Sequence, residues 1–396
     1  MQDVRITIGL PGGGQAASAD STRIQLFAEI LTTGPVSRTE LARRTGLSQS
    51  TVTKVVNPLI EAGYVVEGEA RSAGFGRPHR MLEVAAQRHA AIGVKIAPGT
   101  VTAVLTDLQA RVLARRTRAL GARHEPADAL TAATAVIWDL LADDPDVRGR
   151  LLGVGVGVGG HVDQQSGRVV HSGVLGWDGV DVAGPLGAAT GVPVRVDNDV
   201  NALVIAERWF GTGRDMRSFA LVTTGPGIGG GLLLDGQLYT GASGLAGELG
   251  HIPVQADGTV CTCGNRGCLE TVAGDDAVLR AISAAGGQHT DILAAVAAAR
   301  AGDEAARAAF EAMGDALGRA LATVCNLLNP ARIVLTGERA SAFDLFGPAC
   351  ERAWRAHAFS TAAADCELVV DETDDYLWAR GAASLVIREA VDASLA

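Results

Sequence analysis

Aromatic residues are scarce, at 4% of 396 positions. A core of stacked rings is therefore excluded, and the 50 glycines point instead to tight turns and close backbone approaches. Long apolar runs are missing as well. No stretch approaches the ~20 uninterrupted apolar residues that cross a bilayer. The run 151–160 is half glycine and meets His161 and Asp163. The first twenty residues lack the apolar block and cleavage site of a signal peptide. They read as a flexible leader on a cytoplasmic protein with no membrane partner. A disulfide framework is lacking too. Of six cysteines, Cys325, Cys350 and Cys366 are scattered, while Cys261, Cys263 and Cys268 crowd together. That usage fits a cytosolic chain with one metal site.

Overall positive charge is also absent. The formal net charge is −10, which argues against a nucleic-acid partner for most of the surface. Between Asp20 and Ala90, however, nine Lys and Arg face seven Asp and Glu. A locally positive patch suffices for phosphate attraction, because salt screens charges beyond about 10 Å. Hydrophobic residues make up 47% of the chain, enough for ordered cores, and its length suits two or three domains.

Ile24, Phe27 and Leu31 recur at helical spacing and Gly34-Pro35 ends that helix. Ser37 with Glu40 forms a capping-box signature for a second helix, which Gly46 closes. Ser48 caps a third, whose apolar face is Val52, Val55, Val56, Leu59 and Ile60. Pro58 lies inside that helix, where it removes one backbone bond. The first turn and opposite face carry Ser48, Gln49, Ser50, Thr51, Thr53, Lys54 and Asn57, side chains suited to base edges and phosphates. Two strands, 64–67 and 81–84, then flank a loop tipped by Gly76-Arg77-Pro78. Such a tip places Arg77 for a narrow minor groove. The segment resembles a winged helix-turn-helix domain, with a double-stranded DNA operator as partner.

Beyond residue 88, β-rich runs alternate with Ala-rich helical ones, the mark of an α/β architecture. His251, Cys261, Cys263 and Cys268 give H-x9-C-x-C-x4-C, a three-thiolate, one-imidazole set for tetrahedral Zn2+. With no open position the ion is structural, contributing on the order of 10–16 kcal/mol to local folding.

With its neighbours this cluster resembles the ROK family (repressors, open reading frames and sugar kinases), over essentially all of 22–393. Glu248-Leu249-Gly250-His251 is similar to the family's E-x-G-H, and Cys268-Leu269-Glu270 to its C-x-E. Asp197-Asn198-Asp199-Val200-Asn201 resembles E-N-D-x-N, where the middle Asn binds sugar and the Asp is the general base. Gly159-Gly160-His161-Val162-Asp163 follows P-G-P-x-D loosely, and Val174 stands where relatives supply an Asn. The resemblance implies a sugar site of Gly160, Asn198, Asp199, Glu248, His251 and Glu270. It also implies a two-lobed actin-like, RNase H-like sugar-kinase fold.

The family's kinases carry D-x-G-G-T-K, but this chain reads Lys95-Ile96-Ala97-Pro98-Gly99-Thr100. The carboxylate and two glycines that phosphoryl transfer needs are gone. Later glycine turns survive at 225–231 and at Thr336-Gly337.

The expectation is a leader at 1–19, a winged helix at 20–87, a first lobe at 88–200 plus 376–396, and a second at 201–375. The chain is expected to be a transcriptional regulator, most simply a repressor of carbohydrate-use genes. A sugar or sugar phosphate bound between the lobes would close them and shift the winged helices of a homodimer or dimer of dimers. No residue is assigned a catalytic role; the rival is an active ROK sugar kinase.

Overall fold

The apolar spacing at the N-terminus produces the expected helices. In the computed structural model, which describes residues 17–71, 79–121, 124–372 and 376–392, helix α1 (Ala17–Thr33) buries Ile24, Leu26, Phe27, Ile30 and Leu31. Strand β1 (Val36–Ser37) leads into α2 (Arg38–Thr45). The Ser37 hydroxyl accepts from the Glu40 N–H at 3.2 Å. The capping box is only half made. Glu40 turns its carboxylate to Arg43 Nε (2.8 Å), because a guanidinium three residues on offers a charged, two-pronged partner. Helix α3 (Gln49–Glu61) buries Val52, Val56 and Leu59. Strands β2 (Val65–Arg71) and β3 (His79–Val84) complete a sheet of order β1-β3-β2.

The first large sheet comprises β4 (Ala90–Ala97), β5 (Thr100–Asp107), β6 (Val112–Ala119), β7 (Leu151–Val158) and β11 (Val194–Asn198). Helix α4 (Pro126–Asp143) packs on β5 and β6. A small sheet of β8 (His161–Asp163), β9 (Arg168–Ser172) and β10 (Trp177–Asp181) follows β7, and α5 (Ala183–Thr190) precedes β11. Helix α6 (Asp199–Phe210) starts directly at the end of β11.

The second sheet comprises β12 (Phe219–Thr224), β13 (Ile228–Leu234), β14 (Gln237–Leu238), β15 (Arg332–Thr336) and β16 (Glu367–Val370). Helices α7 (Glu270–Ala273), α8 (Asp275–Ala284), α9 (Ile292–Ala301), α10 (Glu304–Leu328) and α11 (Phe343–His357) lie between β14 and β16 in sequence. The chain ends in α12 (Leu377–Asp392). Both sheets have the same plan: an antiparallel three-stranded meander whose first strand is extended by two parallel strands. Their orders are β11-β7-β4-β5-β6 and β14-β13-β12-β15-β16. This repeat is what a two-lobed sugar-kinase-like fold requires. Among the described residues, no helix is long and apolar enough to cross a membrane.

The chain separates into two compact units, 1–214 with 378–396, and 215–377. The first division therefore falls after Arg214 rather than at 200, because α6 lies against β7 and β11. The winged helix belongs to the first unit. Its core residues Phe27, Leu31, Tyr64 and Leu82 form one buried cluster with Ala91, Leu108 and Leu152, and with Val386, Ile387 and Ala390 of α12. Trp209 and Phe210, at the end of α6, pack against that cluster. Gly93 on β4 pairs with Gly155 on β7. A Cβ on Gly93 would overlap the carbonyl oxygen of Ala379, and one on Gly155 that of Ala382. The paired glycines thus let α12 lie directly on the sheet.

Candidate functional site

The four candidate metal ligands converge in the second unit. Their donor atoms lie within 4.8 Å of one another. Cys263 Sγ and Cys268 Sγ are 3.6 Å apart, and Cys261 Sγ is 3.5 Å from His251 Nδ1. A tetrahedron with metal–sulfur bonds of ~2.3 Å has edges of about 3.8 Å, so the donor set is dimensioned for a small cation. Burial, and then the neighbouring thiols, push the Cys268 thiol up to about 12. A bound cation would favour the thiolate form of these thiols. The four residues are placed to hold a metal ion.

The same loop carries the second unit's candidate sugar ligands. His251 turns Nδ1 to the cysteines and Nε2 towards Glu248, whose Oε2 is 3.9 Å away. A metal on Nδ1 would fix the tautomer and leave Nε2–H as a donor. Glu270 opens α7 just after Cys268, and its Oε2 accepts from the Ile228 N–H at 3.2 Å. Both carboxylates thus adjoin the metal loop. In the glycine turn after β12, a Cβ at Gly225 would touch the Glu338 carboxylate. The Glu338 side chain thus lies against the glycine turn after β12.

In the first unit, Gly160, Asn198 and Asp199 come together at the β11–α6 junction. Asn198 caps α6: its Oδ1 accepts from Val200 N–H (2.8 Å) and Asn201 N–H (3.2 Å). Its Nδ2 donates to the Gly160 carbonyl at 2.9 Å, leaving one amide hydrogen for a ligand. Gly160 has φ +119°, and a Cβ there would strike the His171 carbonyl, so glycine is required. Buried Asp197 is pushed above the ordinary carboxylate range by desolvation. Its oxygens accept from Gln164 Nε2 (2.9 and 3.0 Å) and the Asn198 N–H (2.7 Å), so it organises the junction from behind. Val174 is 58% exposed. Its Cγ2 stands 3.2 Å from where a Gly159 Cβ would be, presenting a methyl at the position where the family resemblance implies an Asn.

Asp199 is not free. Its Oδ1 accepts from the Val200 N–H (2.9 Å), and its Oδ2 receives the ammonium of Lys95. The Lys95 nitrogen also lies 4.8 Å from the centroid of the Trp378 ring. The substitution of Lys95 for an acidic residue was visible in the sequence. Its partners, distant along the chain, were not. After Lys95, β4 turns into β5 through Pro98 and Gly99 (φ +76°), with Ala97 opposite Thr100. Pro98 supplies no N–H to such a turn.

On the winged helix, Gln49, Ser50, Thr53, Lys54 and Asn57 form one exposed stripe of α3, and Thr51 is half-buried. Ser48 is mainly a cap: its Oγ accepts from the Thr51 N–H at 3.1 Å and touches the Ser50 and Thr51 hydroxyls at 2.8 Å. Arg77 lies outside the described residues. Sequence reasoning missed Arg38, which reaches Asn57 and Glu67. Nothing in the local sequence marks that link.

Comparison with known proteins agrees with this division of labour. Residues 91–389 match the ROK family, and residues 20–66 match a winged helix-turn-helix DNA-binding family. A putative xylose repressor of Caldicellulosiruptor sp. (strain Rt8B.4) is 29% identical over 95% of this chain and 98% of its own. The DNA-binding transcriptional dual regulator NagC of Escherichia coli K12 is 30% identical over 90% of this chain and 89% of its own. Among solved structures, a ROK family transcriptional regulator, a homologue of the E. coli MLC protein, superposes with a TM-score of 0.78. It is 28% identical, covering 96% of this chain and 98% of that one. A ROK family glucokinase from Streptomyces griseus, solved with glucose and AMPPNP, gives a TM-score of 0.64 at 26% identity, covering 75% of this chain and 98% of that one.

Proposed function

The chain belongs to the ROK family, and from that premise we propose that it is a DNA-binding transcriptional repressor of sugar-use genes, without kinase activity, whose effector is a small sugar. Relatives that match most of the chain are named as a putative xylose repressor and a DNA-binding transcriptional dual regulator, and residues 20–66 match a winged helix-turn-helix DNA-binding family. The hydroxyl-binding groups of the first unit are Gly160, Asn198 and Asp199, and those of the second are Glu248, His251 and Glu270. His251, Cys261, Cys263 and Cys268 hold a structural Zn2+ that orients the last three. A homodimer reads two half-sites one or more helical turns apart. Operator affinity responds to sugar through the first unit, where α6 runs from Asn198 and Asp199 to the winged-helix core.

The observation that carries the absence of kinase activity is the Lys95 ammonium on Asp199. A general base must accept the hydroxyl proton with a free carboxylate. Here that carboxylate is neutralised by a cation at the position where kinases place a metal-positioning acid. The test is ATP consumption by the full chain with Mg2+ and a panel of hexoses, pentoses and amino sugars. No sugar-dependent turnover is expected. Turnover near ~1 per second or above, the usual kinase range, would refute the reading.

A further inference from the structure

A residue outside α3 contacts its exposed polar stripe. Arg38, at the start of α2, places Nη2 3.3 Å from Asn57 Oδ1 and 2.6 Å from Glu67 Oε1. Arg80, on β3, holds the other oxygen of Glu67 at 3.0 Å. The Arg38 and Glu67 side chains are only 25% and 22% exposed. Arg38 is therefore engaged between helix and wing strand rather than extended towards a phosphate. Asn57 is exposed, on the same stripe as Gln49, Ser50, Thr53 and Lys54.

An asparagine amide has two faces, a carbonyl that accepts and an NH2 that donates. A freely rotating Asn reads adenine by using both at once, on N6 and N7. Here the carbonyl is turned to a charged donor, which favours one side-chain torsion. The NH2 is what remains to meet DNA. Guanine is the base whose major-groove edge offers two adjacent acceptors, N7 and O6, with no donor, whereas cytosine offers only a donor there.

We infer that Arg38 is a positioning residue for operator specificity: it locks Asn57 with its amide nitrogen outward, so that Asn57 reads guanine. The inference rests on the DNA-binding reading of α3 and adds to it which base Asn57 selects and what aims it. Glu67 and Arg80 tie the lock to the wing, so helix and wing meet DNA in one fixed relation.

The experiment is selection of binding sites from random duplex DNA by the full-length protein and its variants. Wild type is expected to enrich a sequence in which one guanine loses about tenfold of its preference in Asn57→Ala, the scale of a good base contact. Arg38→Met should relax the same position while leaving non-specific affinity and its salt dependence unchanged. Asn57→Asp keeps an oxygen for Arg38 but faces DNA with an acceptor, so the position should switch to cytosine. That variant is at an exposed site and decides the question even where Arg38→Met folds poorly. An adenine at the Asn57-dependent position, or no switch in Asn57→Asp, overturns the inference. So does an Arg38→Met protein that weakens on all sequences equally with a shallower salt slope, since that marks a phosphate contact. Failure of wild type to enrich any sequence is a separate result and removes the repressor reading itself.

Discussion

The ammonium of Lys95 rests on the carboxylate of Asp199, two residues 104 apart in sequence. Their side chains are 14% and 11% exposed. The chain contains only two lysines, Lys54 on α3 and Lys95 here. Every other cation is an arginine, so a compact point charge stands where a carboxylate and an indole ring flank it.

Breaking this pair leaves an uncompensated charge in a nearly closed site. Lys95→Ala should cost about 3 kcal/mol, whereas the double substitution Lys95→Met with Asp199→Asn should be close to neutral. Urea denaturation of the three proteins checks this. Equal losses in the single and double variants would show that the two side chains do not interact.

Zinc content is the second prediction. Elemental analysis should find one Zn2+ per chain, lost in Cys263→Ser. Removal should speed hydrogen exchange across residues 251–270 and weaken sugar binding, because Glu248 and Glu270 flank the same loop. A chain purified without metal that retains a protected loop would count against the site.

Gly155→Ala tests the contact of α12 with the first sheet. The added methyl would meet the backbone of Ala382, which cannot rotate away. A loss of about 3 kcal/mol is expected, at the upper end of ordinary overpacking. Because α12 shares a core with the winged helix, operator binding should weaken at temperatures where α12 loosens. Thermal melts followed by operator anisotropy read both effects.

The Glu67 network gives a pH dependence. The hydrogen bond from Arg38 acts most strongly on the Glu67 carboxyl; burial opposes it, the weaker hydrogen bond from Arg80 adds to it, and the net result is a carboxyl held below its usual value. A carboxylate with a depressed folded-state value stabilises above its unfolded value of about 4.3, and that stabilisation is lost as pH falls through the folded one. Glu67→Gln should therefore lower stability at pH 7, by under about 1 kcal/mol for so accessible a pair, and have no effect at strongly acid pH. Parallel melting curves at pH 7 and pH 3 measure it; an unchanged difference would contradict the assignment.

Local patterns were legible in the sequence wherever one residue type repeats or caps. The apolar spacing of α3, the Ser48 cap and the cysteine spacing all carried through to the structure. Edge strand β6 was not legible, because its Arg115, Arg116 and Arg118 leave no apolar alternation and its residues are mostly solvent-facing. The three strands of the small sheet are three to five residues long, too short for a period to show. Long-range pairs were equally hidden. Asn198 stands at a helix start, and the structure shows its carbonyl accepting from Val200 N–H and Asn201 N–H as the cap. Glu40 was expected to reach back to Ser37, and a neighbouring arginine captured it instead. In each case the competing partner lies outside the window that a motif spans.

The central claim is that sugar controls operator affinity. Its most direct test is fluorescence anisotropy of a selected operator titrated with the full-length protein at fixed salt, with and without each sugar of a hexose, pentose and amino-sugar panel. At least one sugar should change the dissociation constant by about fivefold or more, the lower range of allosteric coupling. Asp199→Asn should blunt that response. An operator affinity unchanged by every sugar would contradict the account.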